Sequence, residues 1–161
     1  QGISGYDPRV FKAMSITYAT TPMGADHTAG AAIAGRIASQ SKDYGELTEN
    51  KGKLELSYEL QLYTAILDSL GCCYFIGPSY ENMEIVKNAL NTMYKLELTI
   101  KDVIIIGKKI LKTEIEFNQK AGLNRDGNFL PEFLRREPSI PTGLKFTFTT
   151  EELNHFWDRL L

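Results

Sequence analysis

Histidine and cysteine are scarce in this sequence, at two residues each among 161. The cysteines, Cys72 and Cys73, are adjacent. Neighbouring cysteines form a strained disulfide, so free thiols in a reducing compartment are expected rather than a stapled secreted scaffold. CxxC, HExxH and multi-histidine clusters are lacking, so this chain by itself has no four-ligand metal site. An excess of charge is lacking too. Eighteen Lys and Arg against 20 Asp and Glu leave a net charge of −2, which argues against a nucleic-acid binder that works by neutralising phosphates. No apolar run approaches the ~20 residues of a membrane span, and no secretory segment opens the sequence. A cytoplasmic setting, without membrane or nucleic acid, is the expectation. Gln1-Gly2 resembles a tag remnant, leaving 3–161 as the region to interpret.

What is present suits a globular domain, with 43% hydrophobic and 24% charged residues. A chain of this length buries roughly 70% of its unfolded surface and needs no staple. Asp7-Pro8 offers an N-cap followed by proline at the first helical position, and Val10, Phe11, Met14 and Tyr18 follow at helical spacing. Residues 20–24 form a turn-rich stop. Asp26 then reads as the cap of a second helix, from His27 to about Ser39, built from Ala29, Gly30, Ala31, Ala32, Ala34 and Gly35. Small residues there would let another backbone approach closely, at a cost in helix propensity. A polar loop follows over 39–52.

Leu54, Tyr58, Leu62, Ala65 and Ile66 mark a long amphipathic helix that ends near Leu70-Gly71. The apolar stretch 72–76 meets the breaker Gly77-Pro78. Ser79 caps a helix carrying Met83, Val86, Leu90 and Met93. Thr99 and Asp102 form a capping box for another, which runs through Val103 and Phe117 to Gly122. The chain is then irregular around Pro131, Pro138 and Pro141, and only Leu144, Phe146 and Phe148 alternate as a short strand would. Thr149 or Thr150 caps a last helix with Leu153, Phe156, Trp157 and Leu160. The predicted class is all-α, an irregular multihelical bundle.

Two places carry residues of chemical interest. His27 would sit at a helix start, where the dipole disfavours the imidazolium and a neutral ring suits a proton donor. The plainer alternative is an ordinary interfacial histidine. His155 lies on the polar side of the last helix. Asp68-Ser69-Leu70-Gly71-Cys72-Cys73 ends an apolar helix, where a carboxylate needs donors. Gly71 permits a sharp exit, and two thiols follow. Here the alternative is a C-cap with two buried cysteines acting as small apolar residues.

The two places share a frame. Tyr18-Ala19-Thr20-Thr21-Pro22-Met23-Gly24-Ala25-Asp26-His27-Thr28, preceded by Asp7-Pro8-Arg9, resembles the DPR and YATSPRGADHT segments of the tungsten-pterin aldehyde ferredoxin oxidoreductases. The 68–73 segment resembles that family's DxxGLC motif, at the family's distance downstream. Phe117-Asn118, Gly122, Leu130-Pro131 and Phe133 echo a later stretch, FN-x-R-x-G and LP-x-RF. Met23 stands where the family usually has Arg, Cys72 where it has Leu, Ile115 where it has Arg, and Gly127-Asn128 where it has an acidic pair.

The resemblance implies a set of roles. His27 would be the catalytic proton donor or substrate-orienting group beside the metal. Asp68, with Gly71 and Cys72, would hold the pterin. Cys73 would be the fourth thiolate of a 4Fe–4S cluster. The cofactors implied are a tungsten (or molybdenum) pterin and that cluster, and the reaction is oxidation of an aldehyde to an acid, with electrons passing to ferredoxin. The resemblance makes this the C-terminal helical region of such a protein. It would partner an N-terminal pterin-binding domain, would bind no cofactor and be inactive alone, and would tend to self-associate over the exposed cofactor-side face. The alternative is a non-catalytic helical interaction module that keeps the fold.

Overall fold

The first helix, α1 (Lys12–Thr20), starts later than the Asp7-Pro8 signal suggests. In this computed structural model, which describes residues 5–33, 38–123 and 130–160, Asp7 instead organises a turn. Its carbonyl accepts from the Val10 and Phe11 amides at 3.0 and 3.1 Å. Its carboxylate accepts the Arg9 amide and grips the Arg9 guanidinium at 2.8 to 3.2 Å. Phe11, at ψ 82°, keeps that turn out of the helix.

All of α1 but Tyr18 is buried, polar residues included, so its hydroxyls must find partners. Ser15 donates to the Lys12 carbonyl at 2.6 Å, Thr20 to the Ile16 carbonyl at 2.7 Å, and the Thr17 and Ser57 hydroxyls pair at 2.8 Å. The buried Lys12 ammonium donates to the Lys145 carbonyl and to Thr147, pinning the C-terminal segment.

Helix α2 (Lys53–Ser69) is the central element and packs against both α1 and α4. Leu60, Leu62, Ile66 and Leu67 are each at most 2% exposed, so truncating any one to Ala should cost about 2–5 kcal/mol. Helix α3 (Tyr80–Tyr94) is capped by the Ser79 hydroxyl, which accepts from the Asn82 amide. Only Met83 of its expected apolar stripe is fully buried, and Met93 is 71% exposed. Val86 still packs on the core part-buried, and the stripe leaves it toward the C-terminal end of the helix.

Helix α4 (Ile100–Lys120) opens with the expected Thr99–Asp102 capping box, and Val103 to Ile106 lie within it. It buries Val103, Gly107 and Leu111, one residue per turn. Gly107 is small for a reason: a Cβ there would stand 2.7 Å from Ile66 Cδ1 and 2.9 Å from Leu62 Cδ1. Its absence lets α2 and α4 cross closely.

Three expectations from sequence need correction. Residues 27–33 form no helix: they run through turns and bends into irregular backbone between α1 and α2. The small residues do permit close approach, but of an irregular segment of chain to α2. The end of the expected helix, including Ala34 and Gly35, lies outside the described residues, as do Gln1-Gly2 and Gly127-Asn128.

Leu144, Phe146 and Phe148 form no strand, and none occurs among the described residues. Phe146 and Phe148 are instead buried over the core, the Phe146 amide donating to the Leu134 carbonyl at 2.9 Å. Arg135, on the short α5 (Phe133–Arg136), lies 4.6 Å from the Phe146 ring centroid and donates to the Phe148 carbonyl. These contacts take the place of a ladder.

The last helix is shorter than its pattern suggests. Thr149 and Glu152 form a capping box for α6 (Thr150–Asn154), and a 3₁₀ helix, Phe156–Leu160, follows. Trp157 Nε1 donates to the Thr20 carbonyl at 2.8 Å, tying this end to α1.

Candidate functional site

The site is built where α2 ends. Gly71, at φ +67°, turns the chain out of the helix, with the Gly71 amide on the Asp68 carbonyl at 3.0 Å and the Cys72 amide on the Leu67 carbonyl at 2.9 Å. A Cβ at Gly71 would meet nothing within 4 Å, so the left-handed turn alone calls for glycine. Beyond it Cys72 is half-buried and Cys73 exposed, both as free thiols. Cys73 is thus not the buried apolar cysteine that a structural role would give.

Asp68 stands open to solvent on one side. Even so, the protein wall behind it, and then the charge of Asp26, hold its carboxyl above the ordinary carboxylate range. Among the described residues no donor reaches that carboxylate. Glu114 on α4 is raised in the same way, by burial and then by the Asp68 charge. Asp26, Asp68 and Glu114 therefore share one neighbourhood, although they come from three separate segments.

Asp26 does not cap a helix. Its Oδ1 accepts from both the amide and the hydroxyl of Thr28 at 2.7 Å, which holds its pKa down. The His27 side chain is 47% exposed, with Nδ1 3.9 Å from Asp26 Oδ1 and the ring edge-on to Tyr6 at 6.1 Å. No helix starts there, so the dipole argument for a neutral imidazole does not apply; a half-exposed ring beside a carboxylate is what remains. His155 pairs with Asp158 at 2.7 Å on an exposed surface.

The two motifs meet. The Ala31 amide donates to the Tyr74 hydroxyl at 3.1 Å, joining the stretch that follows His27 to the stretch that follows Cys73. From α4, Asn118 Nδ2 donates to the Pro22 carbonyl at 2.8 Å and holds the turn just before Asp26. Tyr6, Tyr74 and Glu114 are participants that the sequence reading passed over. None is marked in the sequence: Glu114 shares α4 with Asp102, Glu116 and several lysines.

A pterin would bring N–H donors, and a 4Fe–4S cluster needs reachable thiolates. A carboxylate without a donor and an exposed free thiol fit those needs. Among the described residues no group of three His, Cys, Asp or Glu closes around a metal ion. Nor is any of their helices long and apolar enough to cross a membrane.

Comparison with known proteins identifies the family of the chain. A family profile described as "Aldehyde ferredoxin oxidoreductase, domains 2 & 3" matches residues 1–159. The tungsten-containing aldehyde ferredoxin oxidoreductase of Pyrococcus furiosus is 29% identical over 145 residues, 88% of this chain and 23% of that protein. The Pyrococcus abyssi protein of the same name is 29% identical over 151 residues, 89% of this chain and 23% of its own length. That of Thermococcus kodakarensis is 28% identical over 149 residues, 88% and 23% of the two chains. The chain thus spans less than a quarter of the length of the curated relatives it matches.

Proposed function

Because this chain belongs to the aldehyde ferredoxin oxidoreductase family, over its domains 2 and 3, we propose that it forms the helical part of an enzyme that oxidises an aldehyde to a carboxylic acid. The observation that carries the reading is the convergence of the His27 turn with the 68–74 segment: Ala31 bonds to Tyr74, and Asp68 feels the charge of Asp26. A tungsten (or molybdenum) pterin would supply the two-electron oxidation, and a 4Fe–4S cluster would pass the electrons singly to ferredoxin.

The residues of this chain divide the remaining work. Asp68 accepts from the pterin's N–H groups, which replaces its missing donors and favours the ionised form. The turn at Gly71 and Cys72 would offer its backbone to the cofactor. Cys73 offers one thiolate of the cluster, the others coming from outside this chain. His27 turns Nδ1 toward Asp26, so Nε2 is the atom that gives or takes the proton. In the cytoplasm, the pterin-binding region and ferredoxin are the partners.

The face around these residues also exposes Leu70, Phe75 and Ile76, at 43%, 84% and 55%. Such apolar surface suits burial against the pterin-binding region, and in its absence self-association of the isolated chain, which is without catalytic activity.

The test is aldehyde-dependent dye reduction by the complete protein carrying this region, purified anaerobically. His27→Ala should lower kcat at least 100-fold while leaving tungsten content unchanged. A complete protein that binds neither metal nor pterin and reduces no dye with any aldehyde would instead support a non-catalytic interaction module.

A further inference from the structure

A cavity of about 340 Å³ opens between α2, α3, α4 and the loop before α2. Its walls are Tyr58, Leu62, Tyr63, Tyr80 and Ile104, with Lys42 among the polar groups. None of His27, Asp68, Cys72 or Cys73 lines it. Its volume lies at the small end of the range for small-molecule sites.

The charged groups here are already satisfied. Lys42 Nζ donates to Glu55 Oε1 at 2.7 Å and also to Glu59. Glu59 Oε2 accepts from the Tyr44 hydroxyl at 2.6 Å. Lys108, also on the wall, is engaged as well. The Ser39 and Ser41 hydroxyls bond to each other at 2.9 Å.

Tyr63 differs. The residue is only 4% exposed, yet its hydroxyl has no hydrogen-bond partner among the described residues. It is not among the sealed, unsatisfied polar atoms of the interior, which are Gln61 Oε1 and Thr64 Oγ1. Its hydroxyl oxygen therefore keeps some accessible surface, and Tyr63 is one of the residues that line the cavity. Burial, and then the charge of Glu59 and other neighbours, push its pKa up, so the hydroxyl keeps its proton and acts as a donor.

We propose that this cavity is a binding site for a small uncharged aromatic molecule bearing one oxygen, with its ring among the tyrosines, Leu62 and Ile104 and its oxygen on the Tyr63 hydroxyl. A hydroxyl with no protein partner is free to bond the oxygen of such a ligand in place of water. Rings of this size favour offset or edge-on contact with aromatic walls. With both lysines engaged, an anion of the same size gains no free counter-charge and loses its hydration. The site is independent of the aldehyde reading, because it shares no residue with the α2 terminus.

The test is titration of the 161-residue chain with phenol, toluene and benzoate, followed by heteronuclear NMR. Phenol should bind with a Kd near 1 mM or below, shifting Tyr63, Leu62 and Ile104 resonances. Tyr63→Phe should weaken phenol about tenfold and leave toluene unchanged. Ile104→Phe, which fills the cavity without touching the hydroxyl, should abolish both. Circular dichroism of the variants checks that each is folded. The proposal is overturned if phenol leaves these resonances in place, if Tyr63→Phe leaves its affinity unchanged, or if benzoate binds more tightly than phenol.

Discussion

Gly30 lies against the α2 backbone at Gln61: a Cβ on residue 30 would stand 2.8 Å from the Gln61 amide nitrogen and 3.0 Å from its Cα. The obstacle is backbone, so α2 cannot yield by rotating a side chain. The carbonyl of Gly30 also accepts from the Thr17 hydroxyl at 3.2 Å. One glycine thus fits the segment after His27 between α1 and α2.

Gly30→Ala should accordingly destabilise the chain by about 1–3 kcal/mol, read from urea unfolding. In the complete enzyme it should lower activity as well, because the His27 turn must move with its support. Unchanged stability would contradict the close packing of this segment on α2.

Asp68 should carry a pH signature. Its folded pKa is raised by burial and by Asp26, so between the unfolded and folded values the folded state holds more protons. Its contribution is present at low pH and lost as pH rises through the folded pKa. Asp68→Asn should therefore match the parent below the ordinary aspartate range and gain stability over it as pH climbs. Thermal melts from pH 3 to pH 7 give the comparison. A variant that loses ground with rising pH would contradict the assignment.

Asn118→Ala removes the donor to the Pro22 carbonyl. The expected cost is about 1 kcal/mol, with faster hydrogen exchange concentrated in residues 22–28. Exchange that rises evenly across α4, with the turn unaffected, would show that Asn118 supports its helix rather than the His27 turn.

Lys53 is 2% exposed and donates to the carbonyls of Tyr44, Gly45 and Lys51. Lys53→Met keeps the apolar stem and strands those acceptors, so a loss of about 2–3 kcal/mol is expected in chemical unfolding. A neutral result would mean water reaches the loop once the ammonium is gone.

Local rules made three caps and the breakers legible in the sequence, while Asp7 and Asp26, which read as caps, organise turns instead. Ser79, Thr99 with Asp102, and Thr149 each act through a side chain three residues from its partner. Gly71 likewise needs only its own φ. The segment after Asp26 was misread because Ala and Gly at close spacing satisfy a helix and a tightly sandwiched irregular chain equally well. What decides between them is Gln61, thirty-one positions away. Phe146 and Phe148 alternate as a strand does, but Arg135 and Leu134 satisfy their backbone without a second strand. In the candidate site, motif resemblance pointed to His27, Asp68 and Cys73, and the structure joins the stretches that follow His27 and Cys73. The acids coupled electrostatically to Asp68 come from the 26 turn and from α4, and no spacing rule links them.

The central claim is that Cys73 supplies a cluster thiolate to the complete enzyme. The most direct measurement is iron content with Mössbauer and EPR spectra of the anaerobically purified complete protein, parent against Cys73→Ser. The account predicts a 4Fe–4S cluster in the parent, and in the variant a three-iron cluster or none, with tungsten retained. An unaltered four-iron cluster in Cys73→Ser would contradict it.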